Sequence, residues 1–144
     1  MMPRSARIYW IEGRVPDALA EERKVATPAH DPALLHDQEE IAAAYAKSGL
    51  RAAQLEAAQL KERGYEASRQ EQESGAPSLD SYSALFVAFQ YGLLKDTEKA
   101  LHWLNQSCHD QAGLAIYEKS APELHFLRSD PRFQDLLRRM NFPP

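Results

Sequence analysis

The chain has one cysteine, Cys108, and six glycines in 144 residues. A single thiol cannot form an internal disulfide, so a reducing compartment such as the cytoplasm fits. Cys108 itself reads as a small filler on a helix. No apolar run approaches the roughly 20 residues that a membrane-spanning helix needs. The first nine residues carry arginines but no apolar core, so they do not read as a signal peptide. Basic charge is not concentrated anywhere: 17 Lys and Arg stand against 21 Asp and Glu, a net charge of −4 spread along the chain. That balance lacks the basic footprint with which nucleic-acid binders displace counterions. Alternating strand patterns of useful length are missing as well.

The residues of catalysis and metal binding are equally sparse in pattern. There is no glycine-rich phosphate loop and no G-x-S-x-G turn. The five histidines are His30, His36, His102, His109 and His125. None has another histidine three or four residues away, the spacing that a helical metal site wants. His36 with Glu39 or Glu40 supplies only two ligands. The expectation is therefore no enzyme, no metal and no cofactor.

What is present favours helix. Alanine, leucine, glutamate, glutamine, lysine and arginine dominate, and an apolar content of 44% suffices for a core within one domain over 1–144. Helices are expected at about 3–12, 16–26, 32–48, 51–63, 79–94 and 97–107, with a short one near 114–119. Gly13, Gly49 and Gly64 mark helix ends. Asp31-Pro32 and Asp130-Pro131 each join an N-cap oxygen to a ring with helical φ already set, and Asp96 caps the sixth helix. Phe133, Leu136, Leu137 and Met140 form one apolar stripe on a terminal helix. Residues 65–77 are rich in Gln, Glu, Arg and Ser and read as a flexible segment, or as extra helix with a mobile outer end.

An alanine, a tyrosine three residues on and a leucine ten residues later recur as Ala6/Tyr9/Leu19, Ala42/Tyr45/Leu55 and Ala88/Tyr91/Leu101. The steps are 36 and 46 residues, and 65–77 accounts for the longer one. Such a period is the mark of stacked helical hairpins. The alanine permits close backbone approach, the tyrosine fills the space where helices diverge, and the leucine packs inside its hairpin. Four residues after each tyrosine stand Gly13, Gly49 and Lys95, of which only Lys95 does not suit a tight turn. Nine after stand Ala18, Gln54 and Ala100, of which only Gln54 departs.

These columns resemble the tetratricopeptide repeat. The closest unit runs from Tyr91 through Ala100-Leu101-His102-Trp103-Leu104. The segment Leu127-Arg128-Ser129-Asp130-Pro131-Arg132-Phe133, continuing to Met140, looks like the end of a bacterial group of such proteins. Members are often the C-terminal part of transcription regulators, adenylate cyclases or kinases. The resemblance implies an all-α superhelix of about three hairpins (about 3–27, 32–64 and 79–108) with a cap at 110–141. It also implies a protein-interaction scaffold that takes a peptide or helix on its concave face. The abrupt start at Met1 fits either a standalone short array or a piece of a longer one.

On that geometry the concave face carries Tyr82, Leu85, Phe86, Phe89 and Leu93 in the third unit. The second offers His36, Glu39, Ala43 and Lys47, and the first Arg7, Trp10 and Ile11. Trp10 beside Arg7 is either a candidate anchor or a terminal tryptophan lying against the neighbouring hairpin. The helix holding Phe89 is apolar all round, which is the pattern of a helix covered on both sides. Its cover is either the chain's own tail, with Leu124, Phe126 and Leu127 as candidates, or a partner helix or peptide. The Lys and Asn that clamp chaperone tails in some relatives are replaced here by Glu39, Ala43, Leu85 and Phe89. Two other functions remain open: a sensory or regulatory segment of a signalling protein, and a module that buries the Phe89 face against a second copy.

Overall fold

The computed structural model describes residues 4–29, 32–73, 84–109 and 122–139. Among these there are helices and turns and no strand, so the protein is all-α. The elements are α1 (Arg4–Glu12), α2 (Val15–Ala29), α3 (Pro32–Ser48), α4 (Leu50–Glu73), α5 (Ala84–Leu93), α6 (Thr97–His109), a 3-10 helix (Pro122–Leu127) and α7 (Pro131–Arg139). Two compact units divide the chain, residues 1–60 and 61–144, with the boundary inside α4. None of the described helices is long and apolar enough to cross a membrane. The expected helix near 114–119, Tyr82 and Met140 lie outside the described residues.

Three junctions turn one helix into the next, and all three close on a tyrosine carbonyl. After α1, the Arg14 amide donates to the Tyr9 carbonyl at 2.8 Å and the Gly13 amide to Trp10 at 3.2 Å. After α5, the Asp96 amide donates to Tyr91 at 3.1 Å and the Lys95 amide to Gly92 at 3.0 Å. Both are the paired closure of the Schellman motif. After α3, a single bond runs from the Gly49 amide to the Tyr45 carbonyl at 2.9 Å, the simpler left-handed cap. The residue four beyond each tyrosine is left-handed: Gly13 at φ 77°, Gly49 at 87° and Lys95 at 57°. Lys95, the apparent exception in sequence, adopts the same conformation as the two glycines. It is the only described non-glycine residue to do so.

The second helix of each junction starts on the residue that closes the first. Ala18, Ala53 and Ala100 donate their amides to the carbonyls of Arg14, Gly49 and Asp96, and all three alanines are fully buried. Gly49 ends α3 and also starts α4, so this junction is one residue shorter than the other two. The buried alanine is therefore Ala53, one position ahead of where the sequence columns put it. One residue is about 100° of helix rotation. Gln54 takes the place of Leu19 and Leu101, and Leu55 turns outward to 44% exposure. The expected packing of Leu55 inside its hairpin is thus corrected, whereas Leu19 is buried and Leu101 half-buried.

Within residues 1–60, α1 packs on α2 and α2 on α3. Ser5 Oγ donates to Glu21 Oε2 at 3.1 Å across the first pair. Ala42 and Tyr45 of α3 face Val15, Pro16 and Leu19 of α2 around a shallow cavity of about 280 Å3. The Ala/Tyr column thus meets the preceding helix. Gly13 is constrained twice, by its φ and by Leu50, whose Cδ2 lies 3.1 Å from where a Cβ would stand.

Within residues 61–144, Glu62 ties three helices together. Its Oε2 accepts from the Tyr91 hydroxyl of α5 at 2.9 Å, and its Oε1 accepts from the Trp103 indole of α6 at 3.1 Å. Lys99 sits 4.9 Å from the centre of the Tyr91 ring, and Tyr65 meets Trp103 edge-on at 5.1 Å. These contacts explain why α4 does not stop at Gly64. An interior glycine costs only about 1 kcal/mol relative to alanine, and the turn beyond it is held through Tyr65. The helix end expected at Gly64 is thus moved to Glu73. At the other end, Asp96 Oδ1 accepts from the Lys99 amide at 3.1 Å and Asp130 Oδ1 from the Arg132 amide at 2.8 Å, the two expected caps. Phe133, Leu136 and Leu137 are buried as one stripe.

Two measurements check this account. Lys95→Gly should raise unfolding stability in urea by about 0.5–1 kcal/mol, the left-handed strain less the added freedom of the unfolded chain; no rise would remove the strain argument. Burial first, and then the hydrogen bond to Glu62, pushes the Tyr91 phenol above its ordinary 10.0. The folded chain then keeps a proton that the unfolded chain loses. The stability contributed is whole below about pH 10 and is lost as pH rises above it. Phenolate absorbance should show Tyr91 ionising after ordinary tyrosines, a late step missing from Tyr91→Phe.

Candidate functional site

The sequence places candidate contact residues on α1, α3 and α5, and the three helices present them very differently. On α5, residues Ala84 through Gly92 are all buried. Leu85, Phe86 and Phe89 are therefore interior, and Leu93 is half-buried. Their cover includes α6 and the 3-10 helix, both packed on α5. Phe86 and Phe89 meet edge-on at 6.1 Å, and Leu124 and Leu127 of the 3-10 helix are each 1% exposed. Of the two covers considered for this face, the chain's own Leu124 and Leu127 occupy it, with Phe126 half-buried beside them. Leu85, Phe86 and Phe89 are corrected from groove lining to core.

The close fit depends on Gly92. A Cβ there would stand 2.6 Å from the Glu123 carbonyl oxygen, inside any allowed contact. Glu123 belongs to the 3-10 helix and is buried. Only a hydrogen at this position lets the 3-10 backbone lie against α5, so a glycine that weakens the helix locally serves the packing.

On α1 the anchor expectation is also corrected. Trp10 is 1% exposed, and its indole nitrogen has no hydrogen-bond partner. It fills the interior of the first unit and is not offered to a partner. Arg7 is half-buried, and Ile11 is 37% exposed. On α3 the candidate residues lie at the surface. His36, Glu39, Ala43 and Lys47 are all exposed on one face, together with Glu40. His36 Nε2 lies 3.2 Å from Glu40 Oε1. Gln38 and Ile41 on the other side of α3 are buried, and neither amide atom of Gln38 has a partner.

A further concavity was not anticipated. A groove runs between α6 and α7. Its outer part, about 590 Å3, is bordered by Glu98, Leu101, Arg132 and Asp135 and shares His102, Asn105 and Arg139 with the inner part. Its inner part, about 560 Å3, is lined by His102, Asn105, Gln106, His109 and Arg139. Arg132 closes the outer end. Its Nη1 donates to Glu98 Oε1 at 2.9 Å and Oε2 at 3.1 Å, and its Nη2 to Asp130 Oδ2 at 3.0 Å. The Asp130 hydrogen bond, with Glu98 behind it, raises the Arg132 guanidinium above its usual range, and Arg132 in turn lowers the Asp130 carboxyl. Arg139 meets Asp135 one turn back at 3.4 Å. The positions of His102, Asn105 and His109 along one side of α6 were legible in the sequence. That Arg139 faces them follows only once α7 docks on α6.

Among the described residues no group of three or more His, Cys, Asp or Glu side chains is arranged to hold a metal ion. No family model, curated protein or solved structure matches the chain.

Gly92→Ala should lower stability by about 1–3 kcal/mol, although alanine is the better helix former by about 1 kcal/mol. Urea unfolding followed by tryptophan fluorescence reads the change. A variant as stable as the parent would mean that the 3-10 helix does not lie against α5.

Proposed function

We propose that the protein is a tetratricopeptide-like scaffold that binds a protein or peptide without making or breaking bonds. One observation carries this reading. Three junctions share a tyrosine carbonyl closed near a left-handed residue four positions on and a buried alanine in the helix that follows, two of them in the same paired form and the α3/α4 one a residue shorter. Recurring helical junctions are what a repeat array requires. The facing of Ala42 and Tyr45 onto α2 supports stacking through the same column.

The surface assigned to the partner is the α3 face with His36, Glu39, Ala43 and Lys47, together with Ile11 of α1. It carries both signs of charge and a small residue at its centre. A peptide backbone can approach Ala43 while the flanking side chains hydrogen-bond it. The face of α5 is not part of the assigned surface, because Leu124 and Leu127 cover it. In this reading the protein works in the bacterial cytoplasm.

Selection from a displayed random-peptide library tests the proposal. Selected peptides should bind the wild type and lose about tenfold in affinity on the double substitution Glu39→Lys, Lys47→Glu, with the helical circular dichroism unchanged. Peptides that bind equally well after both substitutions would remove α3 from the site. A library that yields no binder would remove the scaffold reading itself.

A further inference from the structure

We infer that the inner part of the α6/α7 groove is a second contact site, one that takes the carboxylates of an acidic peptide segment. The inference rests on the scaffold reading and adds a partner class to it. The chemistry of the lining carries it. His102, Asn105, Gln106, His109 and Arg139 all present nitrogen donors, and no acidic side chain is among the described lining of this part. The volume, about 560 Å3, falls within the range of ligand pockets.

Among the described residues, the acids nearest the groove are already engaged. Glu98 and Asp130 are held by Arg132 at the far end. Asp135 touches Arg139 through a single 3.4 Å contact with both side chains more than half exposed, a pair that an incoming carboxylate can replace at little cost. α7 ends on Arg138 and Arg139, and α6 ends on His109. Among the described residues the groove's inner end thus gathers Arg139 and His109. Arg139 offers a planar fork suited to a carboxylate, and Asn105 and the two imidazoles offer single donors along the helix. A segment with acidic residues at alternate positions, extended along α6, matches this row.

The test uses the full chain and a capped Glu-Gly-Glu-Gly-Glu peptide, followed by side-chain and amide NMR shifts. The expected result is saturable shifts at Asn105, His102, His109 and Arg139. Affinity should drop about fivefold in Arg139→Gln and by as much for the matching Gln-Gly peptide. The parent and Arg139→Gln should share the same circular dichroism and urea midpoint, so that loss of binding is not loss of fold. Shifts that the Gln-Gly peptide reproduces, or that Arg139→Gln leaves intact, would overturn the assignment. So would inorganic phosphate producing the same shifts at equal concentration, which would mark a small-anion site without peptide selectivity. Absence of groove shifts while library-selected peptides still perturb α3 would end this inference and leave the scaffold reading standing.

Discussion

Three helices of this protein end on one residue in left-handed conformation beside a closed tyrosine carbonyl, and the helix that follows is placed from there. The cost falls on the backbone. Glycine bears it freely at Gly13 and Gly49, whereas Lys95 bears it with a side chain attached. Closure onto the tyrosine carbonyl satisfies acceptors that a helix end leaves open. The same tyrosine places its ring one turn inside the end, where the next element leaves the helix. The position of each following helix is then set by where the left-handed residue stands. The buried alanine is always the fourth helical residue, and so the length of the junction decides which face of the second helix turns inward.

The second unit adds a polar constraint to this backbone one. Glu62 accepts from both Tyr91 and Trp103, so α5 and α6 are fixed to α4 by groups whose hydrogen bonds would be expensive to leave unmade in a half-buried setting. With one side of α5 engaged there, its other side is closed by the 3-10 helix across Gly92. An uncovered α5 would expose Phe86, Phe89 and Leu85 together, an apolar patch that a soluble monomer rarely shows. The chain supplies its own cover.

Much of the framework was legible in the sequence because it is local. The Asp96 and Asp130 caps, the Gly13 and Gly49 turns and the Phe133/Leu136/Leu137 stripe each depend on residues within a few positions of one another. What sequence columns missed depends on counting or on tertiary contact. Leu55 is outside because the α3/α4 junction is one residue short, and a column aligned on tyrosines carries no information about that length. α4 runs past Gly64 because residues beyond the glycine, such as Tyr65, have partners distant in sequence. Trp10 fits both an anchor and a packed residue in sequence, because the size and apolarity that enrich tryptophan at contact sites also make it core material when a neighbouring helix is present.

The contrast between α5 and α3 bears on function more than either alone. A partner that needed the α5 face would have to displace Leu124 and Leu127, each almost fully buried, and give back the transfer free energy of those side chains before gaining any of its own. A partner on α3 displaces water from His36, Glu39 and Lys47 and meets Ala43 without steric cost. Polar contacts of this kind give modest affinity each and derive selectivity from their spacing along the helix. This kind of contact fits the proposed scaffold reading: the turns hold the backbone fixed, and on that reading the spacing of side chains on an exposed helix would set the specificity.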